Sequence, residues 1–142
     1  MQQREIPFSF TSYQPVSENK EKRYSIIRAP QQMNYKSYLK NTIIGCLTVM
    51  LDRKQVGDFS FPKIRSSQDM ALWLLILKKG FDAYGLDENL AEYRVVYGSN
   101  TGNKLIAALG VWKVYREIER LNLVISFWYF MHYSFNALIK RL

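Results

Sequence analysis

Residues 66–80 read SSQDMALWLLILKKG and give the clearest helical signal in this chain of 142 residues. Ser66 stands three residues before Asp69, which is the spacing of a capping box at the start of a helix. Apolar side chains then recur at helical spacing, at Leu72, Trp73, Ile76 and Leu77. Gly80 follows as a residue that suits the left-handed conformation at which many helices end. The segment therefore predicts a helix over residues 66–79.

Patterns typical of strands lie on both sides of this helix. Residues 6–13 alternate weakly, which suits a strand, and residues 43–51 form a nearly continuous apolar run typical of a buried strand. Residues 83–86 and 90–96 are predicted as two further strands. The polar residues 87–89 between them predict a turn.

Three more helices are predicted. Residues 35–41 form one of them, with Asn34 as its cap, and residues 104–120 and 122–141 form the others. The glycine-containing stretch 97–103 is predicted to be the most flexible loop. The order of elements indicates a mixed α/β fold followed by a helical tail.

Composition and charge limit the classes of function. Hydrophobic residues make up 48% of the chain and aromatic residues 15%, which excludes a disordered tail. The net charge of +8 is compatible with nucleic acid, an anionic membrane surface or a phosphate-bearing substrate. Lysine and arginine are scattered, with 11 in residues 1–65 and 9 in residues 66–142. No nucleic-acid-binding motif accompanies them, so nucleic acid is not an expected partner.

The chain contains one cysteine and one histidine. Cys46 lies in the apolar run and is predicted to be a small buried side chain. His132 lies among aromatic residues and is predicted to be a surface or core side chain. Two such residues cannot form a Cys/His zinc site, so no metal site is predicted on this chain.

Asp69 has two interpretations. A carboxylate in the first turn of a helix commonly pairs with free N–H groups and complements the helix dipole. The preceding loop is basic, with Lys63 and Arg65, and a carboxylate on such a rim can accept a proton from a sugar hydroxyl. The residues alone leave both interpretations open.

The tail divides into two faces. Residues 121–139 carry no charge, and a run of roughly 20 residues approaches the length that spans a bilayer. One helical face is nevertheless polar, with Asn122, Ser126, Tyr129, Tyr133, Asn136 and Lys140. This division favours a helix that lies in the membrane interface, with flanking cations near anionic lipid. The alternative is a helix that packs on the core of a globular domain.

Four short motifs follow one another along the chain. They are NTIIGCLTVM at 41–50, VGDF at 56–59, QDMALWL at 68–74, and LAEYR at 90–94 followed by GS at 98–99. In this order they resemble the C-terminal half of a bacterial inverting family 2 glycosyltransferase of the teichuronic acid, capsule and O-antigen type. The resemblance extends from about residue 8 onwards. It implies the acceptor-binding half of a glycosyltransferase A-type, Rossmann-like fold.

The resemblance also implies roles for individual residues. Asp69 matches the catalytic base that deprotonates the acceptor hydroxyl, and Gln68 and Trp73 would shape the acceptor pocket. Arg94 and Ser99 match the loop that covers the nucleotide-sugar donor, where a guanidinium could neutralise the leaving diphosphate. Arg94 has the alternative interpretation of a surface charge at the end of a strand.

The family's N-terminal half has no counterpart in this sequence. That half carries an Asp-x-Asp motif for Mg²⁺ or Mn²⁺, and neither Asp52-Arg53 nor Asp87-Glu88 has that spacing. The resemblance therefore implies a divalent metal for the complete enzyme, with a ligating motif outside this chain. We expect a truncated or split protein that is inactive alone, with a possible partner chain supplying the missing half.

These inferences combine into one interpretation. Residues 1–103 would be a partial glycosyltransferase domain, and residues 104–142 a helical tail at the membrane interface. The protein would be cytoplasmic and peripheral at the inner face of the plasma membrane. Its substrates would be a nucleotide-sugar donor and a glycan or lipid-linked acceptor. The alternative is a membrane-associated basic binding or interaction module without catalysis.

Overall fold

A computed structural model describes residues 5–96, 98 and 103–140, and these form an α/β fold, as the sequence predicts. The sheet has four strands in the order β2-β4-β1-β3. The two long central strands, β1 (Phe8–Ser17) and β4 (Ala83–Val95), run parallel. The edge strands β2 (Gln32–Met33) and β3 (Met50–Leu51) are antiparallel to their neighbours.

The first strand is longer than predicted, because it continues to Ser17. The chain then turns back beside it, with antiparallel bridges from Tyr13 to Ile27 and from Val16 to Arg23. These bridges show that the chain reverses direction shortly after Ser17. Because β1 is long, it pairs with β4 from Ser9 to Ser17.

The two strands predicted at 83–86 and 90–96 are one strand, β4, so the predicted turn at 87–89 is wrong. The polar residues are accommodated by bulges, since Thr11 pairs with Leu86 while the next residue, Ser12, pairs with Asn89. Asp87 in the bulge accepts a hydrogen bond from Ser12 Oγ at 2.7 Å. A bulge absorbs extra residues without reversing the strand, and a polar segment alone does not distinguish it from a turn.

The apolar run 43–51 is also not the predicted buried strand. Residues Cys46–Thr48 form a 3₁₀ turn, in which Thr48 Oγ1 donates to the carbonyl of Gly45 at 2.8 Å. Only Met50–Leu51 pairs with β1. Cys46 is exposed, so its predicted burial is wrong, while Ile44 is buried as expected for an apolar residue in this run. This local hydrogen bond from the Thr48 side chain to the backbone stabilises the turn, so the segment does not continue as a strand.

The helices follow the prediction closely. Asn34 caps α1 (Tyr35–Lys40) in a capping box with Ser37, and α2 (Arg53–Val56) is a single turn capped by Asp52. Helix α3 (Gln68–Lys78) lies at the centre of the core, with all but one of its residues from Met70 to Leu77 buried.

The beginning and the end of α3 differ in their agreement with the sequence. Gly80 adopts a φ of 95°, the left-handed conformation expected after the helix. The predicted capping box at the start is wrong, because the cap residue is Ser67 and its side chain makes no capping hydrogen bond. Asp69 Oδ1 instead accepts from the N–H of Met70 at 2.9 Å.

The predicted tail consists of α4 (Lys104–Lys113), a π-helical extension (Val114–Ile118) and α5 (Leu123–Ile139). Val111, Val114 and Tyr115 belong to the core, and the Tyr115 hydroxyl donates to the carbonyl of Leu39. Glu119 accepts from the Tyr35 hydroxyl and from Lys78 Nζ, so it joins the end of this segment to α1 and α3. Helix α4 and its extension are therefore part of the domain.

Helix α5 packs on the domain through its polar stripe. Ser126 is fully buried, Tyr129 contacts Tyr115 with ring centroids 6.4 Å apart, and Asn136 Nδ2 donates to the carbonyl of Lys40 at 3.1 Å. The apolar residues on the opposite side are exposed, and they include Val124, Phe127, Trp128, Met131, Phe135 and Leu138. The packing alternative is thus correct for the polar stripe, and the apolar face remains uncovered by the described residues.

Candidate functional site

A cavity of about 470 Å³ opens at the start of α3, within the size range of about 300–1,000 Å³ that is usual for ligand pockets. We call it the Asp69 cavity. The lining residues come from the 3₁₀ turn, the segment before α3, the first turn of α3 and α4: Cys46, Phe61, Arg65, Ser66, Ser67, Gln68, Asp69 and Ala107.

The Asp69 carboxylate is partly buried in this cavity and has apolar and phenolic neighbours. Burial raises the pKa of Tyr13 to about 12, and the nearby charges of Tyr93 and Asp69 contribute to this increase. Burial, with a smaller contribution from Asp69, likewise raises the pKa of Tyr38. Tyr13 and Tyr38 therefore remain neutral at physiological pH. Among the described residues that line the cavity, Asp69 provides the one carboxylate.

The backbone before α3 is held in an uncommon conformation. Ser67 has a φ of 58° and a ψ of 33°, in the left-handed region that non-glycine residues rarely adopt. Helix α4 packs closely against this point, since a Cβ atom at Gly110 would lie 2.4 Å from Ser66 Oγ and 2.6 Å from Ser67 Oγ. Local strain of this kind is common at functional sites, where the surrounding packing maintains it.

The structure brings some of the predicted site residues together. Gln68 and Asp69 both line the cavity, and Gln68 Nε2 donates to the carbonyl of Ile64. Trp73 is only 3% exposed and lies in the core beneath Phe61, with ring centroids 6.4 Å apart. Phe61 itself lines the cavity, so Trp73 can act on a ligand only through Phe61.

The other two predicted residues are not part of this cavity. Arg94 is exposed near the end of β4 and does not line the cavity. Ser99 lies outside the described residues. Their predicted contact with a donor remains a prediction.

Sequence reasoning missed three of the lining residues. Phe61 lies in a segment with no regular secondary structure, and Ala107 is contributed by α4, 38 positions after Asp69 along the chain. Cys46 was assigned to a buried strand. Arg65 had a usable signal, because the basic loop before α3 placed it beside Asp69.

The divalent metal implied by the resemblance does not fit the described residues. Within them no group of three or more His, Cys, Asp or Glu side chains is placed to hold a metal ion. Hydrogen bonds from Gln55 and Lys54 lower the pKa of Asp52, which caps α2. Hydrogen bonding from Ser12 and the charge of Arg28 lower the pKa of Asp87. Both carboxylates therefore have structural partners.

The outer face of α5 is the largest exposed apolar feature of the tail. Phe127 and Trp128 are each 59% exposed, and Phe135 is 64% exposed. No helix within the described residues combines the length and the hydropathy needed to cross a bilayer. An exposed apolar face on a helix that is fixed to the domain by its polar side can bind another surface.

Comparison with known proteins connects these features to a family. No protein-family profile and no solved structure matches the chain. The chain is 51% identical over its full length to a Bacillus subtilis protein assigned as the teichuronic acid biosynthesis glycosyltransferase TuaG, and it covers 56% of that protein.

Two Escherichia coli proteins are also similar. Over 82% of the chain, identity is 36% to WfaP, a UDP-Glc:alpha-D-GlcNAc-diphosphoundecaprenol beta-1,3-glucosyltransferase, of which 45% is covered. Over 90% of the chain, identity is 33% to WfgD, which has the same named activity, with 49% covered. The chain spans about half the length of these relatives. The resemblance to bacterial glycosyltransferases is thus confirmed over about half the length of each relative.

Proposed function

We propose that this chain is the acceptor side of an inverting family 2 glycosyltransferase that builds a bacterial surface polysaccharide. The observation that carries the proposal is the position of Asp69, a single carboxylate in a ligand-sized cavity at the start of a buried helix. Its relatives are named as glycosyltransferases of teichuronic acid and of diphosphoundecaprenol-linked sugars. The donor-binding half and its metal site would lie outside this chain, which we propose is inactive alone.

The proposed reaction assigns one proton transfer to this chain. Asp69 accepts the proton of an acceptor hydroxyl as the hydroxyl oxygen attacks the anomeric carbon of the donor sugar. The new bond joins that oxygen to the anomeric carbon, and the bond from this carbon to the nucleoside diphosphate breaks. The nucleoside diphosphate departs with the bonding electron pair, and attack from the opposite face inverts the configuration.

The other site residues have supporting roles in this proposal. Gln68 offers its amide to the acceptor at the mouth of the cavity, and Trp73 holds Phe61 in the cavity wall. Arg94 and Ser99 would face the diphosphate of the donor when the donor-binding half is present. A guanidinium in that place stabilises the negative charge of the leaving group.

We also propose that the protein acts at the inner face of the plasma membrane. The outer face of α5 would lie in the membrane interface, with the domain attached through the polar stripe. The named substrates of WfaP and WfgD are linked to undecaprenol, so their acceptor is anchored in lipid. A domain that rests on the membrane surface would keep its cavity near such an acceptor.

The test is a chimaera in which this chain replaces the matching part of TuaG in a Bacillus subtilis strain that lacks TuaG. We expect the chimaera to restore teichuronic acid in the cell wall. Replacing Asp69 by Asn should reduce this activity by about 10²–10⁴-fold, the usual contribution of a general base. Asp58→Asn is the matched control, since the Asp58 side chain is 95% exposed and does not line the cavity.

Two outcomes would contradict parts of the proposal. If Asp69→Asn restores teichuronic acid as well as the unchanged chimaera, Asp69 is not the base. If the chimaera is folded and abundant but inactive, while the chain binds anionic vesicles, the second candidate function is favoured. That function is a membrane-associated basic binding module without catalysis, and the exposed face of α5 is the observation behind it.

A further inference from the structure

A second cavity adjoins the Asp69 cavity on the other side of the contact between Gly110 and Ser66. It encloses about 370 Å³ between residues 64–66 and the helical segment 106–118. We call it the α4 groove. Its walls are mainly apolar and include Ile64, Ile106, Leu109 and Ile118. Leu109 is 61% exposed and Ile106 is 42% exposed, so the groove is accessible from solvent.

The α4 groove shares two lining residues with the Asp69 cavity. Arg65 and Ser66 line both cavities, so one ligand could occupy the Asp69 cavity and the groove together. Lys113 lies at the opposite wall of the groove. Within residues 5–96, 98 and 103–140, neither Arg65 nor Lys113 forms an ion pair. Two cations without carboxylate partners beside an apolar groove suit a ligand with an anionic group and an apolar chain.

Resting on the proposed function, we propose that the α4 groove binds the lipid diphosphate part of the acceptor. The order of chemical groups in the molecule would match the order of residues in the protein. The acceptor sugar would lie at Asp69, its diphosphate at Arg65 and Lys113, and the first isoprene units along Leu109 and Ile106.

Glu117 adds a negative charge to the lining of the α4 groove, and its removal tests the proposed diphosphate site. It lines the groove four residues after Lys113, so the two side chains lie on the same face of the helical segment. A carboxylate there opposes the binding of a diphosphate. Removing this charge should therefore strengthen binding of the acceptor, and loss of folded structure cannot produce that result.

The experiment uses the whole chain and farnesyl diphosphate as the probe, at concentrations below those at which it forms micelles. Binding is measured by calorimetry, and a diazirine-tagged form of the probe maps the contacted residues by mass spectrometry. We expect crosslinks at residues 106–118 and at Arg65. Farnesol, inorganic diphosphate and UDP serve as comparison ligands, and each should bind more weakly because each lacks one of the two chemical groups.

Three substitutions define the expected result. Leu109→Asp should weaken binding about tenfold or more by placing a charge against the isoprene chain. Lys113→Gln should weaken it about fivefold through loss of a charge-assisted contact. Glu117→Gln should tighten it about two- to fivefold by removing a repulsive charge. Leu90→Asp is the matched control for Leu109→Asp, because Leu90 is 63% exposed on β4, away from the groove.

Several results would overturn the inference. UDP or inorganic diphosphate binding as tightly as farnesyl diphosphate would assign the cations to a nucleotide or a free phosphate. Equal binding of farnesol, or equal loss in Leu90→Asp and Leu109→Asp, would indicate unspecific apolar adsorption. Crosslinks confined to the outer face of α5 would move the lipid contact away from the groove.

The inference and the proposed function can fail separately. Asp69→Asn should leave farnesyl diphosphate binding unchanged, whereas it should reduce sugar transfer by the chimaera about 10²–10⁴-fold. If the chimaera is inactive and the probe still binds in the groove, the proposed function fails and the binding site stands. If the chimaera is active and Leu109→Asp and Glu117→Gln leave its KM for the lipid acceptor unchanged, the groove is not the acceptor site.

Discussion

Replacing Phe127 and Met131 by Glu should release this protein from anionic membranes without unfolding it. Both side chains lie on the outer face of α5, where they are 59% and 54% exposed. The helix is attached to the domain through Ser126, Tyr129 and Asn136 on the opposite face. The two substitutions therefore remove lipid contacts and leave the packing contacts in place.

The expected loss of membrane affinity follows from the exposed area of the two side chains. An aromatic side chain has about 150–250 Å² of surface, so the exposed 59% of Phe127 is about 120 Å². Burial of this area at about 25 cal/mol per Å² is worth about 3 kcal/mol, and the exposed half of Met131 adds about 1 kcal/mol. A loss of about 4 kcal/mol corresponds to about a thousandfold in the partition constant. Because an interfacial helix buries its face only partly, we expect at least about a hundredfold.

The assay is co-sedimentation of the full chain with vesicles of phosphatidylglycerol and phosphatidylethanolamine, accompanied by circular dichroism and thermal melting. Met50→Glu with Leu90→Glu is the matched control, since these residues are 62% and 63% exposed on the sheet. The control should bind vesicles like the unchanged chain. Failure of the unchanged chain to bind, or equal release by the control pair, would refute the reasoning. A large loss of melting temperature in Phe127→Glu with Met131→Glu would instead indicate that this face packs against protein.

Three further predictions concern stability and pH. Glu119→Gln should lower the free energy of unfolding, measured by urea titration, by about 1–3 kcal/mol, because the Glu119 side chain is 4% exposed and accepts hydrogen bonds from Tyr35 and Lys78. As a control, Asp58→Asn at an exposed position should change it by less than about 1 kcal/mol. Gly85→Ala should lower the free energy of unfolding by about 3 kcal/mol or more, because the added Cβ would lie 2.0 Å from the Pro30 carbonyl oxygen. Gly57→Ala should lower it by about 1–2 kcal/mol, because Gly57 has a φ of 80° but no atom within 4 Å of the added Cβ, and equal losses would contradict this prediction. The free energy of unfolding should fall as the pH rises from 10 to 12, because burial raises the pKa of Tyr13 from 10.0 to about 12, so the unfolded chain loses the phenolic proton at a lower pH than the folded chain. Below pH 10 both states keep this proton, and Tyr13→Phe should reduce the loss of stability measured by denaturation at pH 9 to 12.

Local signals in the sequence predicted the helices well and the strands less well. Asn34 and Gly80 mark a helix start and a helix end through their own backbone preferences, and both were predicted correctly. The segment 43–51 and the junction at 87–89 were misjudged, because their conformation depends on pairing with β1. A bulge and a turn use the same polar residues, and a strand that lies far away in the sequence decides between them.

The candidate site shows the same division. Gln68 and Asp69 were assigned to the site by the resemblance, with Asp69 also recognisable in the first turn of a helix, and the structure places both in one cavity. Phe61 and Ala107 were missed, because they reach the cavity through the packing of a loop and of α4. Trp73 was assigned to the pocket by resemblance, and it lies buried in the core against Phe61, which lines the cavity.

Helix α5 shows most clearly what an amphipathic pattern leaves open. The pattern defines two faces, and the polar face was expected to meet water or lipid headgroups. In the structure that face meets the domain, where Asn136 donates to the carbonyl of Lys40, and burial lowers the pKa of Lys140 to about 8. A polar stripe can face inward when the domain offers carbonyl groups that need donors, because each buried polar group must find a partner.

This inverted packing links the membrane face to the candidate site through α4. Trp112 of α4 contacts Phe130 of α5 with ring centroids 5.4 Å apart, and Ala107 and Leu109 of the same helix line the Asp69 cavity and the α4 groove. A force on α5 from the bilayer would thus act on the helix that forms one wall of both cavities. Since Gly110 brings this helix against Ser66 and Ser67, the wall is fixed close to the backbone that positions Asp69. The proposed membrane contact and the proposed acceptor binding would therefore share one structural element, and changes in α4 should affect both.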